Sequence, residues 1–304
     1  MSDTLSSSRT ISDYVLLGRT GLRVSRLCLG TMTFGTEWGW GCDEPTARSI
    51  FDRFVGAGGN FIDTADGYTN GRSEEWLGRF IKDTGRRDFV VLATKFSTNM
   101  EPGNPNAGGN GRKNIMRAVE SSLRRLRTDY IDLYWLHFWD TLTPIEEIIS
   151  TLDGLVRAGK VRYFGLSDTP AWYAARAQTV AEAGNLERIC ALQLEYSLVE
   201  RNIEREHIPA ARELGMGVCA WGSLASGFLT GKYTRTNTGG EGEGRLTRTT
   251  DPLFRMMPVF NRFTERNWHV LDQLIAVARA LDRTPTQVAL NWIAGRAGVT
   301  SVIV

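Results

Sequence analysis

Short apolar runs bounded by glycine or polar residues recur along the chain. They are Arg26–Leu29, Asn60–Ile62, Phe89–Ala93, Ile131–Leu136, Val161–Leu166, Cys190–Leu194, Gly217–Ala220 and Ser301–Val304. Apolar on both faces and too short for helices, they predict buried parallel strands. From the second to the seventh, successive starts lie about 27–42 residues apart, which leaves room for one crossover helix each. Helical periodicity fills several gaps. Glu44–Ala57 carries Ile50, Phe51, Phe54 and Val55 at helical spacing, with Pro45 suited to a first turn. Lys113–Arg127 sets Ile115, Val119, Leu123 and Leu126 on one face, and Pro144–Ala158 ends before Gly159. Thr284 and Pro285 read as an N-cap and first helical residue ahead of Val288, Leu290, Trp292 and Ile293. Alternation to a count of eight predicts a single (β/α)8 TIM barrel over residues 1–304. An open doubly wound sheet is the alternative, but no GxGxxG follows any strand.

Three segments break the rhythm. Val15–Ser25, with Arg19-Thr20-Gly21 between two apolar pieces, predicts a β-hairpin closing the barrel floor. Ser97–Asn110 follows the third strand, and Gly222–Arg262, with its glycine-rich run Thr238–Gly244, follows the seventh. Loops after strands lie on the catalytic face of such a barrel, so both are candidate lids.

Composition narrows the class. Thirty-six basic against 34 acidic residues give a net charge of +2, which points neither to nucleic acid nor to a membrane surface as a partner. Cys28, Cys42, Cys190 and Cys219 lie far apart and form no CxxC pair, and there are three histidines. No zinc site and no disulfide framework are therefore expected. The polar start MSDTLSSSRTISD has no signal-peptide core, and no apolar run approaches the ~20 residues of a membrane span. The expectation is a cytoplasmic enzyme, monomer or homo-oligomer, acting on a small molecule without a metal.

In a buried parallel barrel the informative residue is the polar one at each strand's C-terminal end. Strand two ends in Asp63, with Tyr68 five residues on; strand three ends in Lys95, strand four in His137, and strand five in Ser167-Asp168. Gln193 lies in or at the end of strand six, and Trp221 closes strand seven. Singly, each has a plain reading: a satisfied core histidine, a snorkelling lysine, a capping aspartate. Jointly they make one chemistry. A tyrosine titrates near 10, too high for acid–base work at neutral pH, and a neighbouring ammonium lowers that value. A buried lysine in turn needs a carboxylate partner. That gives a relay from Asp63 through Lys95 to Tyr68, with a neutral His137 to orient a substrate carbonyl. The set holds no redox centre, so a cofactor has to supply a hydride. Trp38, Trp40, Phe96, Phe138 and Trp139 follow or close strands and are candidate walls of an aromatic pocket.

These residues resemble the aldo-keto reductase superfamily, in its long-chain bacterial or aryl-alcohol-dehydrogenase-like branch. The stretch GGNFIDTADGY at Gly58–Tyr68 resembles the family's first signature. It continues into Ser73-Glu74-Glu75 and Leu77-Gly78; Ala93-Thr94-Lys95, Leu136-His137, Gly159–Arg162, Gly165–Ser167, Gln193 and Tyr196-Ser197 add to the match. The resemblance implies NADPH as cofactor, with NADH left open, and reduction of an aldehyde or ketone with Tyr68 as general acid. It implies that Ser167, Asp168 and Gln193 hold the nicotinamide carboxamide, that Trp221 stacks on its ring, and that Thr31 and Met32 line its ribose. Gly222–Tyr233 resembles the loop that covers the pyrophosphate, with Ser223, Leu224, Gly227 and Lys232 as contacts and Arg245 as a further phosphate clamp. Gly227–Lys232 is not a P-loop, being one residue short and followed by Tyr233. The acidic Gly239–Gly244 would repel phosphate.

Departures from the family pattern are Asp168 where an Asn is usual and Gly222-Ser223 in place of a common Ser-Pro. The sequence ends at Val304, whereas family members continue through a Gly-Ala-x-x-x-x-x-Gln-Leu stretch that supplies much of the adenosine and 2′-phosphate site; that tail is expected to be absent here. Two other readings remain within the fold: reduction of a sugar or other biosynthetic intermediate, and a nicotinamide-sensing regulatory subunit, which the full catalytic set disfavours. A Schiff-base aldolase using Lys95 is disfavoured by Asp63, which would keep the amine protonated.

Overall fold

The computed structural model describes residues 10–236, 244–248 and 256–304. Two short antiparallel strands come first, β1 (Val15–Leu16) and β2 (Arg23–Val24), paired Val15 to Val24. Eight parallel strands then close a barrel: β3 (Leu27–Gly30), β4 (Phe61–Asp63), β5 (Val91–Phe96), β6 (Ile131–Leu136), β7 (Val161–Ser167), β8 (Ala191–Glu195), β9 (Gly217–Trp221) and β10 (Val299–Ile303), which returns to pair with β3. Between successive strands run α1 (Glu44–Gly56), α2 (Arg72–Thr84), α3 (Arg112–Leu126), α4 (Ile145–Arg157), α5 (Ala171–Ala183) and α6 (His207–Leu214). The short α7 (Arg245–Arg248), α8 (Glu265–Ala280) and α9 (Pro285–Ala294) lie between β9 and β10. The fold is a (β/α)8 TIM barrel with an antiparallel hairpin.

Local chemistry sets the helix starts. The Asp43 side chain accepts from the Thr46 backbone N–H, with Pro45 in the first turn of α1. Thr284 and Gln287 form a reciprocal capping box at α9, where Pro285 has no N–H to leave unpaired.

The expected strands all occur, with shifted ends. The largest shift is at β5, which begins two residues late and runs on through Lys95 and Phe96. The Val90 N–H is taken by the Arg86 carbonyl in the turn after α2. At the other end, Lys95 pairs with Trp135 and Phe96 with Leu136, which keeps Lys95 inside the ladder. Strand β10 starts at Val299, ahead of the expected Ser301, because Val299 pairs with Val218 of β9.

The hairpin closes the floor. Leu17 and Val24 pack in one cluster with Cys28, Phe61, Ala93, Leu133, Trp135, Ala191 and Cys219 of the barrel. The Arg19 N–H donates to the Gly215 carbonyl at 2.8 Å. A Cβ on Gly18, which has φ +57°, would lie 2.4 Å from the Cys190 carbonyl oxygen, so glycine alone allows this approach. On the opposite side of the wall a larger cluster, including Ile115, Val119, Tyr134, Ile148, Leu152 and Phe164, joins strands to helices.

The loop 97–110 is tied to its neighbour. Asn110, itself buried, donates to the Phe138 carbonyl at 2.8 Å and to Asp140 Oδ2 at 2.7 Å, and accepts from the Ser97 hydroxyl. Residues 1–9 of the polar start and residues 238–243 of the glycine-rich run, which include most of Gly239–Gly244, lie outside the described residues. Among the described residues no helix is long and apolar enough to cross a membrane, and no group of three or more His, Cys, Asp or Glu side chains is placed to hold a metal ion.

Candidate active site

Side-chain alternation along β5 turns Lys95 into the barrel and Phe96 out of it. The Lys95 ammonium is buried and its three hydrogen bonds go to Asp63 Oδ2 at 2.5 Å, the Thr64 carbonyl at 2.8 Å and Tyr68 Oη at 2.9 Å. Asp63 closes β4, and its second oxygen accepts from Gln193 Nε2 of β8 at 2.8 Å. Since a carboxylate only accepts, this bond fixes which end of the Gln193 amide faces it. Tyr68 opens a 3-10 turn after β4, in which Thr69 and Asn70 have left-handed backbone. Thr69 holds the turn through a 2.8 Å hydrogen bond to the Phe34 carbonyl.

The electrostatics of this trio differ in one respect from the sequence expectation. Burial alone would discharge Lys95, but the Asp63 charge, Tyr68 and their hydrogen bonds outweigh it and hold the ammonium above its ordinary range. Tyr68 moves upward rather than downward. Its burial, with a contribution from Asp63, exceeds the downward pull of Lys95. Part of the lysine's influence is cancelled by the carboxylate it is paired with, so Tyr68 rests as a neutral phenol.

His137 follows β6, and its ring meets Tyr68 edge-on with centroids 5.9 Å apart. Burial, then the Lys95 charge, hold it well below the usual histidine range, so the imidazole is neutral. Its Nδ1 is buried without a protein hydrogen-bond partner, and Phe138 stacks on the ring at 4.0 Å.

A second group lies on the rim between β7, β8 and β9. The Trp221 indole N–H donates to Asp168 Oδ1 at 3.0 Å, and the Asp168 N–H donates to the Gln193 carbonyl at 3.1 Å. Asp168 has left-handed backbone, φ +47°, and Ser167 beside it is buried. Ser223, also buried, donates to the Ile303 carbonyl at 2.8 Å and so fastens the loop after β9 to the last strand. Leu224 packs on an apolar cluster around Phe228 and Trp268. Gly227 has φ +88°, and a Cβ there would lie 3.1 Å from Lys232 Cε; the Lys232 ammonium sits 5.4 Å from the Tyr233 ring centroid. Arg245 lies over the Trp40 ring at 4.4 Å, Trp40 is 5.2 Å from Trp38, and Trp38 meets Tyr68 edge-on at 6.4 Å. The half-buried Met32 lies on the same loop.

Three expected site residues have their side chains taken up by packing or hydrogen bonds within the protein. Phe96, fully buried, packs on Tyr134 at 4.9 Å within the strand–helix cluster, because it is the outward neighbour of Lys95. Trp139 packs against Trp172 and Tyr173 of α5, both at 5.8 Å. Thr31 is fully buried, with its hydroxyl donating to the Asp63 carbonyl and hydrogen-bonded with Ser73, so it braces the loops behind the site.

Sequence reasoning missed Glu195 and Arg262. They form an ion pair, Arg262 buried and Glu195 half-buried, beside Gly222, where a Cβ would lie 3.1 Å from Glu195 Cγ. Glu195 ends β8 as Asp63 ends β4, so the strand-end rule applied one residue further on would have found it.

The donors present suit a nicotinamide. Ser167, Asp168 and Gln193 offer hydroxyl, carboxyl and amide groups to a carboxamide, and Trp221, pinned through its indole N–H, offers a ring face. Gly222, at φ +66°, and Gly227, at φ +88°, take left-handed backbone that a side chain would strain.

Residues 26–304 match the model of the Aldo/keto reductase family. The chain is 37% identical over 295 residues to norsolorinic acid reductase B of Dothistroma septosporum, covering 93% of this chain and 75% of that protein. It is 39% identical over 303 residues to an uncharacterized oxidoreductase of Bacillus subtilis, covering 96% and 86%. An aryl-alcohol dehydrogenase of Pestalotiopsis microspora is 40% identical over 228 residues, covering 70% of this chain and 59% of that protein. The family generally uses NAD(P)H. The chain belongs to the aldo/keto reductase family and is an oxidoreductase.

Proposed function

We propose that the protein reduces an aldehyde or ketone to the alcohol with NADPH, and that Tyr68 is the general acid. The observation that carries this reading is the hydrogen-bonded line Asp63–Lys95–Tyr68, with the neutral His137 against the tyrosine ring. Lys95 donates to Tyr68 Oη, so the phenol's own O–H remains to be given to a carbonyl oxygen. His137, neutral, offers a ring N–H to the same oxygen and orients it. As that oxygen gains negative charge, Tyr68 gives up its proton and Lys95 stabilises the phenolate left behind. Lys95 therefore acts mainly after proton transfer, which agrees with a resting tyrosine that is not acidified.

When bound, the nicotinamide supplies the hydride. Ser167, Asp168, Gln193 and Trp221 would hold it, with Met32 near its ribose and Ser223, Leu224, Gly227, Lys232 and Arg245 along the pyrophosphate. Trp38, Trp40 and Phe138 favour an aryl or otherwise apolar carbonyl compound, in keeping with the names of the reductase and dehydrogenase relatives.

The test is Tyr68→Phe. Reduction of a benzaldehyde by NADPH should fall by at least about 100-fold, the scale of a lost general acid. NADPH affinity, followed by tryptophan quenching, should stay within about twofold, since no cofactor contact is assigned to this hydroxyl. Turnover like the parent enzyme's would remove Tyr68 from the chemistry.

A further inference from the structure

Asp168 stands where the family usually places an asparagine, and a carboxylate cannot do everything an amide does. It accepts from a carboxamide NH2 but cannot donate to the carboxamide oxygen. No neighbouring cation among the described residues is paired with the half-buried Asp168: Lys95 of β5 spends its three N–H bonds on Asp63, Thr64 and Tyr68, and Arg262 is taken by Glu195 of β8. The hydrogen bond that Oδ1 accepts comes from a neutral group, the Trp221 indole of β9. The other ionisable groups around it are Tyr68 after β4, neutral, Glu195, whose charge opposes a second anion, and His207 of α6, whose Nε2 meets the Thr169 carbonyl.

We propose, building on the reductase reading, that Asp168 holds the nicotinamide carboxamide as a neutral carboxylic acid: Oδ1 accepts from Trp221 while the other oxygen carries the proton and donates it in a hydrogen bond to the carboxamide oxygen. The acid form thereby takes over the donor role of the asparagine amide, and deprotonation withdraws it. Physical support beyond geometry comes from the desolvation of this half-buried carboxyl, which outweighs its hydrogen bonds with Trp221 and Ser167 and lifts Asp168 to about 7, with Glu195 adding to the rise and Lys95 opposing it. Cofactor affinity then falls as pH rises through neutrality, because the complex keeps a proton that the free enzyme loses.

The experiment is a titration of the wild-type chain and of Asp168→Asn with NADPH between pH 5.5 and 9, read by tryptophan quenching without substrate. Wild-type Kd should rise toward about tenfold per pH unit above neutrality. Asp168→Asn should hold the wild-type low-pH affinity across the range. Titration of the NADPH 2′-phosphate is common to both proteins, so their difference is the readout. Parallel pH profiles would overturn the proposal, and so would a variant weaker than wild type at every pH, since that would mean the carboxylate is required. Infrared difference spectra of the wild-type complex give a check that does not depend on the variant folding: a protonated-carboxyl band present at pH 6 and lost by pH 9 supports the assignment, and its absence at pH 6 refutes it. Failure of the wild type to bind NADPH at any pH would instead remove the reductase reading on which this rests.

Discussion

Lys95 shows how completely one buried side chain has to be satisfied before it is useful. All three of its protons are engaged, and removing any acceptor leaves part of a charge unpaired in the barrel. A second buried acid nearby is treated less generously. Asp66, 1% exposed, is raised to about 7 by burial and then by the Glu74 charge, against the pull of Arg125. Because its folded value exceeds the ordinary 3.8, the folded state binds the extra proton, and stability falls as pH climbs from about 4 to about 7. Proton release from this one carboxyl can cost the folded state up to about 4 kcal/mol across that range. Asp66→Asn should therefore flatten the dependence of urea-unfolding midpoints on pH and be more stable than wild type at pH 8. A variant with an unchanged pH slope would show that Asp66 is not the titrating group. The strand-end polar residues were legible because a parallel barrel has one rim on which they must converge. Phe96 was misjudged by one step of the alternation, and Asp66 went unread because nothing in the motif distinguishes an acid that faces the site from one that faces a helix.

Among the elements, those with both a boundary signal and an apolar stripe were legible. Asp43 with Pro45, and Thr284 with Pro285 and Gln287, gave α1 and α9 within a residue or two. Helix α5 was not named from the sequence. Its buried face is built largely of alanines while the large Trp172 is exposed, so hydrophobicity has little contrast around it. The end of β5 was missed for a different reason: a lysine ends an apolar run in sequence but not a hydrogen-bond ladder in space. The cap at α9 makes a direct prediction. Thr284→Ala removes one bond of the capping box and should cost about 1 kcal/mol, visible as a lower Tm with the catalytic rate intact. An unchanged Tm would mean the box is dispensable where Pro285 already fixes the first turn.

At the scale of the whole molecule, the closed sheet and its floor were readable from the count of strands and from one turn sequence, and the packing inside was not. Trp135 of β6 lies in register with Lys95 on one side and Gly165 on the other, and a Cβ on Gly165 would sit 2.3 Å from its indole. Within the interior cluster that holds Trp135, one large ring lies over one missing side chain. Gly165→Ala should destabilise the barrel by about 1–3 kcal/mol, the usual range for overpacking, measurable by urea unfolding. If the loss is absent, the ring has somewhere else to go. This pairing also constrains descent. A lineage that replaces Gly165 first meets a clash, and one that shrinks Trp135 first opens a void next to Lys95. The two positions are expected to change together or not at all, so aligned homologues should show tryptophan at the first only where glycine occupies the second.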